Sequence, residues 1–342
     1  MASVDQNRVS TTTQDSLLPM LVDTVLNSNV FATRMLGAAK RWNQKRVKFP
    51  VKTSKNTTGG SFDGFDLLST TASDTRQNMQ YDPKFYHIDV AVPLTELAIN
   101  ATPDEVIDLA AIELESSAQD MADDIGTIFY GDGTGNGSKD FNGLGNLVDD
   151  GTTAATIGGL TRATFTPSLD GTVTASGGTL TLALMRTLQS NITSGAQKPT
   201  IGVTTETVWD LYAQLLNPQE RIAKDVPMMR GGVEGGTGFT GLNFRGFPVV
   251  ADEKCTSGVL FFLNENFIDW KALSMPKTMP VNFKSQDIKG NDYSSVKGLG
   301  FSWSDWIMPA NQAALVGHIY LGGNLVTNNP KRHGKLTGIT GV

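Results

Sequence analysis

Strict alternation of apolar and polar residues marks the first clear element. In RVKFPVK, Val47, Phe49 and Val51 fall on one face of an extended chain, and Arg46, Lys48 and Lys52 fall on the other. The pattern recurs at Tyr86–Leu94, where Tyr86, Ile88, Val90, Val92 and Leu94 share a face opposite His87, Asp89 and Ala91. These runs predict a hairpin of two half-exposed strands, Arg46–Lys52 returning as Tyr86–Leu94. Between them, Thr53 to about Gln80 is Ser, Thr, Asn, Gly and Asp, with Phe62, Phe65, Leu67, Leu68 and Met79 as its large apolar residues. Such a stretch cannot pack a core of its own, and a loop this long within a domain points to function. Its deletion, Thr53–Gln80, is expected to leave a folded but assembly-incompetent subunit. Before about Arg41 the chain reads as an irregular arm with one short helix at Leu17–Leu26.

Helical periodicity takes over at Thr102. Thr102-Pro103-Asp104-Glu105 supplies a capping side chain, a proline at the first helical position and acids for the first-turn amides. Apolar residues then recur in steps of three and four at Ile107, Ala111, Leu114, Ala118, Met121, Ile125 and Ile128. A helix over Pro103–Tyr130 follows, about 42 Å long at about 1.5 Å per residue, ending where GDGTGNGS begins at Gly131. A Gly/Ser/Thr-rich connector leads to α/β alternation: a helix marked by Leu180, Leu184, Leu188 and Ile192, a strand at Thr200–Val203, and a helix marked by Val208, Leu211, Tyr212 and Leu215. After a loop over Asn217–Gly241, strands follow at Phe247–Ala251 and Val259–Leu263, then at Phe301–Met308 and Ala313–Leu321. The fold class is α+β.

Composition narrows the function. Lys+Arg 28 against Asp+Glu 34 leaves a formal charge of -6, so the chain lacks the basic surface of a sequence-reading nucleic-acid binder. One cysteine, Cys255, excludes an intrachain disulfide framework. Met1–Ser16 lacks the charged-then-apolar layout of a secretory signal, and no stretch reaches the ~20 apolar residues of a membrane helix. A cytosolic product without membrane contact is expected.

Chemistry is sparse. GDGTGNGS follows a helix, whereas a dinucleotide fingerprint follows a strand and opens a helix. Counted from Asp132 as a calcium loop, the twelfth position is Gly143 and not glutamate. The three histidines stand apart in sequence: His87 on a strand's outer face, His318 inside ALVGHIYL, His333 in a basic tail. No nucleophile elbow or triad motif surrounds them, and one cysteine with scattered histidines supplies no zinc-ligand pair. Asp120 and Asp124 share a helix face, which reads as solvated. No catalytic residue, cofactor or metal is expected.

TPDEVIDLAAIELESSAQDMADDIGTIFYGDGTG followed by FNGLGNLV resembles the spine helix and following turn of the tailed-phage major capsid proteins. FRGFPVVADE followed by GVLFFLNENFIDW resembles their axial-domain strands. The order of elements along the whole chain is similar to that family's Hong Kong-type fold, which encapsulins share. The resemblance implies an N-terminal arm (1–45), an extended E-loop hairpin (46–92) and an axial domain (179–271). It implies a peripheral domain over 93–178 and 272–342, with spine helix 103–130. It further implies a virion shell of hexamers and pentamers enclosing double-stranded DNA, assembled in the host cytoplasm with a scaffolding protein and a portal. The short stretch before the E-loop leads to the expectation of a separate scaffolding protein. The rival with the same fold is an encapsulin-like shell around cargo proteins. A decoration or tail protein and a carbohydrate hydrolase are the other readings weighed.

Charge is segregated along the chain. Arg34, Lys40, Arg41, Lys45, Arg46, Lys48, Lys52 and Lys55 form a run without acids, while Asp104, Glu105, Asp108, Glu113, Glu115, Asp120, Asp123 and Asp124 form a helix without bases. Two independent solvated faces are one reading. The other is a subunit interface in which Arg46, Lys48 and Lys52 lie on a neighbour's Asp104, Asp108, Glu113 and Glu115.

Overall fold

Two sheets sandwich a common apolar layer, and the long helix runs through it. The computed structural model describes residues 29–42, 44–100, 109–216, 242–273, 301–304 and 306–342. Helix α1 (Val30–Gly37) leads through β1 (Lys40–Arg41) to the hairpin strands β2 (Val47–Lys52) and β3 (Arg76–Tyr81). Then come β4 (Lys84–Pro93), α2 (Leu94–Asn100) and α3 (Leu109–Tyr130), the small ribbon β5 (Thr156–Ile157) with β6 (Leu160–Thr161), and β7 (Thr172–Thr179). Next are α4 (Leu182–Ile192), β8 (Ile201–Thr204), α5 (Glu206–Leu216), β9 (Leu242–Phe244), β10 (Phe247–Ala251) and β11 (Leu260–Leu263). Strands β12 (Ile268–Ala272), β13 (Phe301–Trp303), β14 (Ala314–Thr327) and β15 (Gly334–Gly341) follow.

The first sheet runs β1-β12-β14-β13, with β4 antiparallel to β14 from Pro93↔Ala314 to Lys84↔Gly323. The second runs β7-β15-β11-β8-β10-β9. Both faces of the second sheet are covered, which explains the unbroken apolar run LFFL of β11. Leu260 and Phe262 face a core with α4 and α5, while Phe261 and Leu263 face the main core with α1 and α3. Leu114, Ala118, Met121 and Ile125 of the expected stripe on α3 are buried there, and the helix's last turn adds Phe129. Thr181 caps α4, its hydroxyl accepting from the Leu184 amide at 3.2 Å.

The turn after α3 is held by close backbone approach. Gly145 N–H donates to the Gly131 carbonyl at 3.0 Å. A Cβ on Gly143 would stand 2.4 Å from that same carbonyl oxygen and 2.5 Å from Ile128 O, so only glycine fits. The FNGLG phrase is thus a C-terminal cap.

Several expectations change. Strand β2 pairs with β3, Val47↔Tyr81 through Lys52↔Arg76, and Tyr86–Leu94 lies instead in the first sheet against β14. Both runs alternate as expected, but short polar RQNMQY is the nearer partner, and its Met79 and Tyr81 are buried. Residues 30–37, assigned to an irregular arm, form a helix with Val30 through Leu36 buried. A helix buried all round shows no apolar stripe. Strand β15 belongs to the second sheet rather than with β14, as does β7, while β12 joins the first. His333 is wholly buried rather than in a basic tail. The helix expected at Leu17–Leu26, the start at Thr102 and the loop Asn217–Gly241 lie outside the described residues.

Candidate assembly surfaces

The hairpin is fixed at its root. Val47, Phe49 and Val51 face inward, and Phe49 meets Tyr81 edge-on at 6.2 Å between ring centres. The Tyr81 hydroxyl donates to the Thr327 carbonyl at 3.0 Å, tying the hairpin to β14. Lys48 and Lys52 stand exposed on the outer face of β2. Beyond Lys52 the chain leaves the body of the subunit. Phe65 and Leu67 are fully exposed, at 105% and 101%, and Phe62 and Leu68 are largely so. The tip is nonetheless ordered by its own bonds. Asp66 N–H reaches the Asp63 carbonyl at 2.9 Å, Gly64 N–H the Asp63 carboxylate at 2.7 Å, and Asp63 N–H the Asp66 carboxylate at 2.8 Å.

The charge segregation is partly consumed within one subunit. Arg34 pairs with Glu265 at 2.7 Å, Lys40 with Asp269 at 2.7 Å, and Arg46 with Asp82 at 2.5 Å. On α3, Asp123 pairs with Lys254 at 2.6 Å and Asp124 accepts the Tyr86 hydroxyl. Glu113 and Asp120 remain exposed. Asp104 and Asp108 lie outside the described residues, as does the side chain of Glu115. Among the described residues no ion pair joins Lys48 or Lys52 to Glu113.

The residues searched for chemistry take structural places. Lys84 donates its ammonium to the Gly133 carbonyl at 3.2 Å and to the Asp140 carbonyl, so a tethered cation sits in the glycine-rich loop. Burial lowers the Lys84 pKa, opposed by Asp140 and Asp132. Cys255 is buried, and burial followed by the nearby Asp252 charge pushes its thiol well above the usual range, the opposite of an activated nucleophile. His333 accepts the Asn264 amide at Nδ1 (3.3 Å), which leaves Nε2–H to face the Thr327 hydroxyl at 3.2 Å. Among the described residues no group of three His, Cys, Asp or Glu side chains is placed to hold a metal, and no helix is long and apolar enough to cross a membrane.

No known sequence family matches the chain, and neither does any curated protein. In three dimensions it is similar to the capsid asymmetric unit of cyanophage A-1(L), over 92% of this chain and 93% of that one, with a TM-score of 0.66 at 15% identity. The chain has the Hong Kong-type phage capsid fold. The capsid of a native GTA particle matches 90% of this chain and 91% of its own, TM-score 0.55 at 11% identity. The SrpI encapsulin of Synechococcus elongatus matches 88% and 84%, TM-score 0.54 at 11% identity. Alternation read across residues 46–92 marked β2 but passed over its partner strand β3. The ordered turn at Asp63–Asp66 carries a legible Asx-Gly signal that hydrophobic patterning passes over.

Proposed function

We propose that this chain is a major capsid protein, a structural subunit and not an enzyme, which self-assembles into an icosahedral shell enclosing phage double-stranded DNA. Hexamers and pentamers of the chain, a scaffolding protein and a portal complete the assembly, which takes place in the host cytoplasm before the protein resides in the virion. The observation that carries the reading is the E-loop itself. A hairpin rooted in the core extends an ordered tip whose large apolar side chains Phe62, Phe65, Leu67 and Leu68 stand 62–105% exposed. A solvent-exposed apolar segment of this kind marks an interaction site.

Within this reading, the E-loop base lies on a neighbour's spine helix, bringing Lys48 and Lys52 to Glu113 and Glu115, with Asp104 and Asp108 as further proposed partners. The exposure of Lys48, Lys52 and Glu113 supports that arrangement, and Arg46, engaged by Asp82, contributes less. Electron microscopy of the purified chain, alone and co-expressed with a scaffolding protein, tests the proposal. Closed shells are expected, and a chain that stays monomeric under both conditions refutes it. The encapsulin-like reading draws on the similarity to SrpI. Particles that retain a specific cargo protein and never DNA would favour it.

A further inference from the structure

Asparagine followed by glycine is the pair most prone to close on itself, because glycine offers its amide nitrogen without a side chain to crowd the approach. The sequence holds two such pairs, Asn136-Gly137 in GDGTGNGS and Asn142-Gly143 in FNGLG. The fold treats them oppositely. Residues 134–139 are exposed, and Asn136 and Gly137 take successive left-handed conformations, φ 51° and 66°. The bonds of this turn run from the Ser138 amide to the Thr134 carbonyl at 3.0 Å and from the Lys139 amide to the Gly135 carbonyl at 3.2 Å, passing over the Gly137 amide. A Cβ placed on Gly137 would meet nothing within 4 Å, so the space around its nitrogen is open. Carrying that nitrogen onto the Asn136 side chain takes only a local opening, which is cheap where no side chain of the turn is buried.

The second pair is locked. The Asn142 amide donates to Asn324 Oδ1 at 2.9 Å, and Asn324, itself buried, donates onward to the Asp82 carbonyl at 2.9 Å. The Gly143 carbonyl accepts the amides of Asn146 at 3.1 Å and Leu147 at 3.0 Å. The Gly143 backbone is also pressed against the end of α3, where a Cβ would stand 2.4 Å from Gly131 O and 2.7 Å from Phe129 O. Turning the Gly143 nitrogen onto Asn142 would break these bonds and open the helix cap. The same dipeptide is therefore free in one place and held in the other.

We propose that Asn136 is a site of self-modification, deamidating through a cyclic imide, and that the fold protects Asn142 from the same reaction. The Gly137 amide nitrogen gives up its proton to solvent and attacks Cγ of Asn136. A carbon–nitrogen bond forms, the bond to the side-chain nitrogen breaks, and that nitrogen leaves as ammonia with the proton it takes up. Water then adds to one of the two imide carbonyls. Opening at the side-chain carbonyl gives aspartate, and opening at the main-chain carbonyl gives isoaspartate, so the net change is one water consumed and one ammonia released. Each event adds a negative charge to a loop that already holds Asp132 and Asp140 against Lys84 and Lys139. The product accumulates with the age of the chain. The reaction needs only the subunit's own loop and water, so it stands apart from the capsid reading.

The full chain, folded and in denaturant, is incubated at mildly alkaline pH and mapped by peptide mass spectrometry, with isoaspartate labelled by an isoaspartyl methyltransferase. In the folded chain, position 136 is expected to convert at least tenfold faster than position 142, with isoaspartate as the main product. In denaturant the two rates are expected to converge. G137A is expected to slow conversion at position 136 at least tenfold in denaturant, where its effect on the fold plays no part. A folded chain that keeps Asn136 intact overturns the assignment, as does a G137A rate equal to that of wild type. Equal rates at positions 136 and 142 in the folded chain overturn the protection of Asn142.

Discussion

Arg34 and Glu265 form a two-pronged ion pair under less than a tenth exposure, Nε to Oε1 at 2.7 Å and Nη2 to Oε2 at 2.8 Å. The pair fastens α1 to the loop after β11, and Thr200 adds a hydroxyl bond to the same carboxylate at 2.9 Å. Removing one member strands a buried charge, which costs about 3–5 kcal/mol. Arg34→Ala is expected to lower subunit stability by that amount in denaturant unfolding. An unchanged midpoint would show that the pair is not structural.

His333 supplies a pH dependence. Burial, followed by the nearby Arg332 charge, lowers its pKa from 6.5 to about 3. The unfolded chain therefore binds a proton there that the folded chain refuses between pH 6.5 and about 3, so stability falls as pH falls through that window. The full loss is up to about 5 kcal/mol at 1.36 kcal/mol per unit. His333→Gln is expected to flatten the decline between pH 6.5 and 4, measured as denaturant midpoints against wild type. Parallel acid limbs would remove His333 from the account.

Deleting Thr53–Gln80, read from the sequence as leaving the subunit folded, is expected instead to disturb the core, because Met79 within it is wholly buried and buried Tyr81 follows directly. Loss of a buried methionine alone costs about 2–5 kcal/mol. Replacing residues 54–74 with a two-residue Asn-Gly turn instead is expected to preserve subunit melting and abolish shells. Shells of normal yield from that variant would contradict the assembly role of the loop.

Electrostatic docking of the E-loop base predicts salt-sensitive assembly, since the Debye length falls from ~10 Å at 0.1 M to ~3 Å at 1 M. Single exposed pairs contribute only ~0–1 kcal/mol each, so the effect must come from several. Lys48→Glu with Lys52→Glu is expected to suppress assembly of a folded subunit, and Glu113→Lys with Glu115→Lys in the same chain to restore part of it. No rescue in light-scattering assays would leave the basic and acidic faces as independent solvated surfaces.

Legibility followed periodicity. The body of α3 could be read directly because apolar spacing recorded which face meets the core, and β10 as a short apolar run buried on both faces. Helix α1 could not, because burial on every side erases the stripe, nor could β3, whose RQNMQY places only Met79 and Tyr81 inward. The charge contrast was visible as composition. Which members were already neutralised, as at Arg34, Lys40 and Arg46, depended on contacts such as Arg34 with Glu265, 231 positions apart.

Strand β15 lies inside the second sheet, parallel to β7 on one side and antiparallel to β11 on the other, with Gly334 opposite both Thr172 and Phe262. A chain still on the ribosome cannot close that sheet until residue 341 has emerged, long after the E-loop has been made. Translation therefore sets a clock: the exposed tip is synthesised early, and the second sheet of the body is completed late. On the capsid reading, this order is expected to delay polymerisation of nascent chains until their bodies are complete.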